Sequence, residues 1–136
     1  MRVRTWQSNL QALIAERDRA SFAWGKNDCG LFAADAVLAI TGNDPAADLR
    51  GTYDTEQQAN ALLEDGIIVV GDARFGERIR PSLAQVGDIG LVDTPNGFAF
   101  AVCGGSQWLA PARDGRGLAR LPFAAAHLAW RGECRV

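Results

Sequence analysis

Two stretches near the start of the chain place apolar residues at every third or fourth position. In the first, Trp6, Leu10, Leu13 and Ile14 share one face, the other face is charged, and Thr5 stands where a cap belongs. That spacing predicts a helix from about Trp6 to Arg19. In the second, Cys29, Phe32, Ala33, Ala36, Val37 and Ile40 form the stripe, with Asn27 or Asp28 as N-cap and Gly42 just past the end. The aromatic turn Phe22-Ala23-Trp24-Gly25 joins them. The chain then loosens through Thr41-Gly42-Asn43-Asp44-Pro45, and Asp54 with Gln57 three residues on resembles a capping box. It opens a third helix through Ala59, Leu62 and Leu63 that stops near Gly66.

The second half changes character. Short apolar runs are separated by glycine-bearing turns, the pattern of an antiparallel meander. The expected strands are 67–70, 89–92, 98–103, 107–110, 118–121 and 128–131. Turns are expected at Thr94-Pro95-Asn96-Gly97, Gly104-Gly105-Ser106 and Asp114-Gly115-Arg116-Gly117. The layout is α+β in one domain over residues 1–136, with N-terminal helices packed on a C-terminal antiparallel sheet.

Composition narrows the function classes. The net charge of -2, with both signs interspersed, gives no footprint for nucleic acid, and no apolar run is long enough to insert in a membrane. The N-terminus leads straight into the first amphipathic pattern, so the chain is read as made in the cytoplasm without a signal peptide. The three cysteines, Cys29, Cys103 and Cys134, are odd in number and scattered, and His127 is the only histidine. They lack any short paired spacing, which predicts reduced thiols, no metal and no cofactor.

Cys29 carries the candidate chemistry. It falls in the first turn of a helix, where backbone N–H groups favour a thiolate over the free-thiol pKa of about 8.5. The competing reading is a core cysteine on an apolar stripe. Asp28 beside it reads as a helix cap rather than a base, and Asp35 as solvent-facing or paired with an arginine. The segment Arg50-Gly51-Thr52-Tyr53-Asp54 reads either as a binding loop or as a loop packed over the Cys29 helix.

The local sequences resemble those of the NlpC-type cell-wall cysteine peptidases, which have a papain-like fold. Phe22-Ala23-Trp24-Gly25-Lys26-Asn27-Asp28-Cys29-Gly30-Leu31 is similar to that family's lead into Asp-Cys-x-Gly-Leu, with one residue fewer between cysteine and glycine. Val86-Gly87-Asp88-Ile89 resembles its entry into the first core strand, and Phe98 to Gly105 the strand that begins His-x-Gly-Ile in active members. Gln107-Trp108-Leu109-Ala110-Pro111 resembles the strand bearing the third catalytic residue. A divergent branch encoded among phage and prophage tail genes is matched by Thr41 to Pro45, Arg50 to Tyr53 and Ala129-Trp130-Arg131.

The resemblance implies Cys29 as nucleophile and a cleft bordered by Trp24, Asp28 and Trp108. It also implies a base on or next to Phe98, in a segment from Ile89 to Pro111 that has no histidine, and an orienting polar residue where this chain has Leu109 or Ala110. Neither replacement can do that work. Losing a general base costs at least about 10²–10⁴-fold in rate. His127, in a connection before the last strand, is the one base available from elsewhere.

Two classes therefore compete. One is a tail-tip or tail-assembly component, a pseudoenzyme that docks on other tail-tip or hub proteins and resides in the virion. The other is a thiol hydrolase of peptidoglycan stem peptides with Cys29 as nucleophile. A third, binding-only reading keeps affinity for those peptides without turnover.

Overall fold

In the computed structural model, which describes residues 1–136, helix α1 spans Trp6–Arg17 and helix α2 spans Cys29–Thr41. Local signals decide the ends of α2. Asp28 Oδ1 accepts the Leu31 N–H at 2.9 Å, and Gly42 closes the helix at φ 79°. Helix α1 stops at Arg17 rather than Arg19, and Thr5 makes no side-chain cap. Helix α3, Glu56–Leu62, is capped one residue later than expected. Thr55, in extended backbone, accepts the Gln58 N–H at 3.1 Å, and Gln58 Oε1 reaches back to the Asp54 N–H.

Helix α4, Ile67–Arg74, replaces the strand expected over 67–70. Four consecutive apolar residues fit either period, and packing decides between them. Ile67 and Val70, three apart, pack on the core, while Ile68 and Val69 face outward. Gly71 then lies against the Trp130 indole, where a Cβ would come within 2.3 Å of the ring. Only glycine lets α4 approach so closely.

The sheet has six strands: β1 Arg78–Ile79, β2 Ile89–Thr94, β3 Gly97–Cys103, β4 Gln107–Pro111, β5 Leu118–Pro122 and β6 Ala126–Trp130. They are ordered β1-β6-β2-β3-β4-β5 with every pair antiparallel. The two-residue β1 is not in the sequence expectation, because its strand state comes from pairing with distant β6. His127, expected in a connection, is in β6. The β2–β6 register runs Leu91↔Leu128 and then Val92↔Ala126, leaving His127 as the bulged residue.

Side chains alternate between two cores. Ile89, Leu91, Phe100, Val102, Leu109 and Trp130 meet the helices, α2 foremost. Val92, Ala101, Cys103, Trp108, Ala110 and Ala129 form a smaller cluster on the other face. The loop after α2 is packed down, not free: Arg50 pairs with Asp35 on α2 and with Asp44.

Candidate functional site

The N-terminus of α2 meets the middle of β3, and Cys29 and Phe100 line one cavity there. It measures about 70 Å³. Trp24, Leu49, Tyr53, Leu63 and Phe75 contribute to walls that are mainly apolar. Cys29 keeps partial surface exposure. Its sulfur is nevertheless crowded by protein atoms, and desolvation outweighs everything else acting on it. The Phe100 and Gly30 backbone and the charge of Arg113 favour the thiolate, Asp28 opposes it, and the net result pushes the thiol up to about 11. Of the two readings the sequence leaves open, this setting favours the core cysteine over the activated thiol: the helix end is present, but burial outweighs it. At pH 7 a thiol near 11 is about one part in ten thousand thiolate.

Asp28 is fully occupied. Oδ1 holds the Leu31 N–H, while Oδ2 accepts the Gly25 N–H at 2.9 Å and the Tyr53 hydroxyl. At 3% exposure, with every oxygen engaged, it works as cap and anchor for two loops. Tyr53, held by burial and by Asp28, has its hydroxyl pushed well above the ordinary tyrosine range. The carbonyl of Tyr53 also presses on Gly25, where a Cβ would sit 1.9 Å away, so the Trp24 turn and the Tyr53 loop interlock.

Trp24 borders the cavity. Its ring meets Phe22 edge-on, and the Arg113 guanidinium lies 5.0 Å from its centroid while pairing with Glu56 of α3 at 2.8 Å. Arg113 and Glu56 escaped sequence reasoning. Arg113 follows β4 in a turn, and nothing local signals that it reaches the aromatic pair.

Trp108 is not on the rim. It is fully buried on the opposite face of the sheet, stacked on Phe123 and donating its indole N–H to the Phe123 carbonyl at 2.9 Å. Strand alternation puts Leu109 on the helix side and Trp108 away from it. Phe98, where the resemblance expects a base, is half exposed, and its ring meets His127 edge-on at 5.2 Å. His127 thus stands against Phe98, outside the wall of the Cys29 cavity. Leu109 is buried and offers no polar side-chain atom.

A family model described as "Domain of unknown function (DUF6950)" matches residues 1–132. Among solved structures, the chain is similar to the NlpC/p60 domain of the peptidoglycan hydrolase SagA. The TM-score is 0.55 at 22% identity, over 90% of this chain and 96% of that one. The likeness is one of fold, and it places the α+β architecture in the papain-like NlpC class. No curated protein matches the chain.

Proposed function

Since this chain belongs to the DUF6950 family and carries the NlpC/p60 fold, we propose that it is a non-catalytic descendant of that fold, serving as a docking piece in a phage-type tail tip or its assembly. The observation that supports the non-catalytic reading is the setting of Cys29. Its thiol is held protonated among apolar side chains, and His127 is engaged with Phe98. A cysteine hydrolase needs a thiolate and a base that returns a proton to the leaving amine. Support for the tail role is the sequence resemblance of Thr41 to Pro45, Arg50 to Tyr53 and Ala129 to Arg131. On this reading the protein binds tail-tip or hub proteins and, after synthesis in the bacterial cytoplasm, ends in the virion.

Two measurements test the proposal. Purified protein incubated with peptidoglycan stem peptides is expected to release no product, and Cys29→Ala to behave identically. Mass spectrometry of purified particles is expected to find the chain in the tail fraction, and its absence there removes the virion role. One observation favours a second reading, a cell-wall thiol hydrolase. Cys29 occupies the first turn of α2, where the Phe100 and Gly30 backbone favours the thiolate. Product release that vanishes in Cys29→Ala would establish it. Saturable binding of the peptides without turnover would instead mark a binding-only module.

A further inference from the structure

On another part of the surface, Met1 and Arg2, the last residue of α2, the approach to β2 and the segment after β6 enclose a polar cavity of about 200 Å³. Asp88 lines it and is fully buried. Oδ2 accepts the Gln85 N–H at 2.8 Å, but Oδ1 has no hydrogen-bond partner. An unpaired buried carboxylate oxygen is costly, because it has given up water without gaining a partner. Arg2 does not relieve it. Its Nη2 is spent on the Val86 carbonyl at 2.9 Å, its guanidinium lies 4.0 Å over the Trp6 ring, and it stays 3.9 Å from Oδ1. Burial pushes the Asp88 carboxyl above its ordinary range, with Arg131 and Arg2 opposing and Glu133 reinforcing the shift.

The charges around the cavity decide what fits. Arg2 and Arg131 are positive, Asp88 and Glu133 negative, and the exposed side chains of Arg131 and Glu133 line the same space. A simple cation would satisfy Asp88 but face two arginines. A simple anion would meet Arg131 but face two carboxylates. A molecule with both charges a short distance apart answers each. We propose that this cavity binds a small zwitterion of the α-amino-acid type, its ammonium displacing the partly exposed Arg2 guanidinium to donate to the otherwise shut-off Asp88 Oδ1 and its carboxylate accepting from the Arg131 guanidinium. Gly132 fits the same reading. Its backbone packs so tightly on Gly87 that a Cβ would fall 2.4 Å from the Gly87 carbonyl, which fixes where Arg131 and Glu133 leave the sheet.

The test is an NMR titration of the full chain with L-alanine, with methylammonium and acetate each added alone as controls. L-alanine is expected to give saturable shifts at the amides of Gln85, Asp88 and Gly132, and the single-charge controls none that saturate. Asp88→Asn is expected to abolish saturation. Because Oδ2 also holds the Gln85 N–H, a second variant is needed: Arg131→Gln, at an exposed position, is expected to keep the fold and weaken alanine binding about tenfold. The proposal is overturned by any of three results. These are no saturable shift with L-alanine, equal shifts with either control, or unchanged affinity in Arg131→Gln; the first would leave an ordinary water as the partner of Asp88.

Discussion

At Cys29 a helix end and a cavity act in opposite directions on one proton, and the cavity wins. The outcome has a signature in stability. A thiol raised from an ordinary value near 9 to about 11 is held protonated by the fold. Its contribution is therefore fully present below about pH 9 and is lost as pH rises through about 11. Two units correspond to about 2–3 kcal/mol, reduced here because Cys29 keeps some surface. Tyr53 and Cys103 are shifted in the same direction, so the measurement must be a difference. Urea unfolding of the wild type and Cys29→Ala from pH 7 to 11 should show the wild type losing about 2 kcal/mol more than the variant at the alkaline end. Iodoacetamide alkylation of Cys29, with Cys103 and Cys134 changed to serine, should show its midpoint near 11. A midpoint below 8.5 would mean an activated thiolate and would revive the hydrolase.

Among the elements, those set by neighbouring residues were legible and those set by distant ones were not. The Asp28 cap, the Gly42 stop and the turns before β3 and β5 are written within a few residues of where they act. Helix α4 is not: its apolar run is ambiguous until Trp130, far along the chain, supplies the surface that Gly71 meets. The cleft was half legible for a related reason. Alternation in β4 states that Trp108 and Leu109 face opposite ways, but not which face receives α2. The α4 contact can be tested directly. Replacing glycine by alanine inside a helix ordinarily gains about 0.5–1 kcal/mol. At Gly71 the new methyl meets a rigid indole at 2.3 Å, and such overpacking costs about 1–3 kcal/mol. Gly71→Ala should therefore be net destabilising by about 1–2 kcal/mol in urea titrations. A net gain would show that α4 can slide off Trp130.

Across the whole molecule, ion pairs join segments that the apolar core alone leaves loosely connected. Asp18 at the end of α1 holds Arg120 on edge strand β5, and Arg74 of α4 holds Asp48 in the loop after α2. The central tie is Asp35. One oxygen takes Arg17 of α1, the other takes Arg50 at 2.6 Å, and Arg50 also engages Asp44 at 2.7 Å. Arg17 in turn donates to Asn27 at 3.1 Å, next to the Asp28 cap, so the network runs from α1 to the rim of the Cys29 cavity. The Asp35 side chain is only 11% exposed, and removing its charge leaves Arg17 with only the exposed Glu16 and Arg50 with only Asp44 as carboxylate partners. Breaking a buried pair from one side costs about 3–5 kcal/mol, and the partial exposure of Arg50 points to the lower end. Asp35→Asn should then lower stability by about 3 kcal/mol with an unchanged urea slope, since the unfolded surface is the same. It should also loosen the Arg50–Tyr53 loop, which keeps Asp44 and Asp28 as anchors, and with it the cover over Cys29, so that alkylation at a fixed pH becomes faster. If stability falls but alkylation does not quicken, the network serves the fold alone. If both change together, the charges that hold α1 to α2 also keep the Cys29 cavity shut.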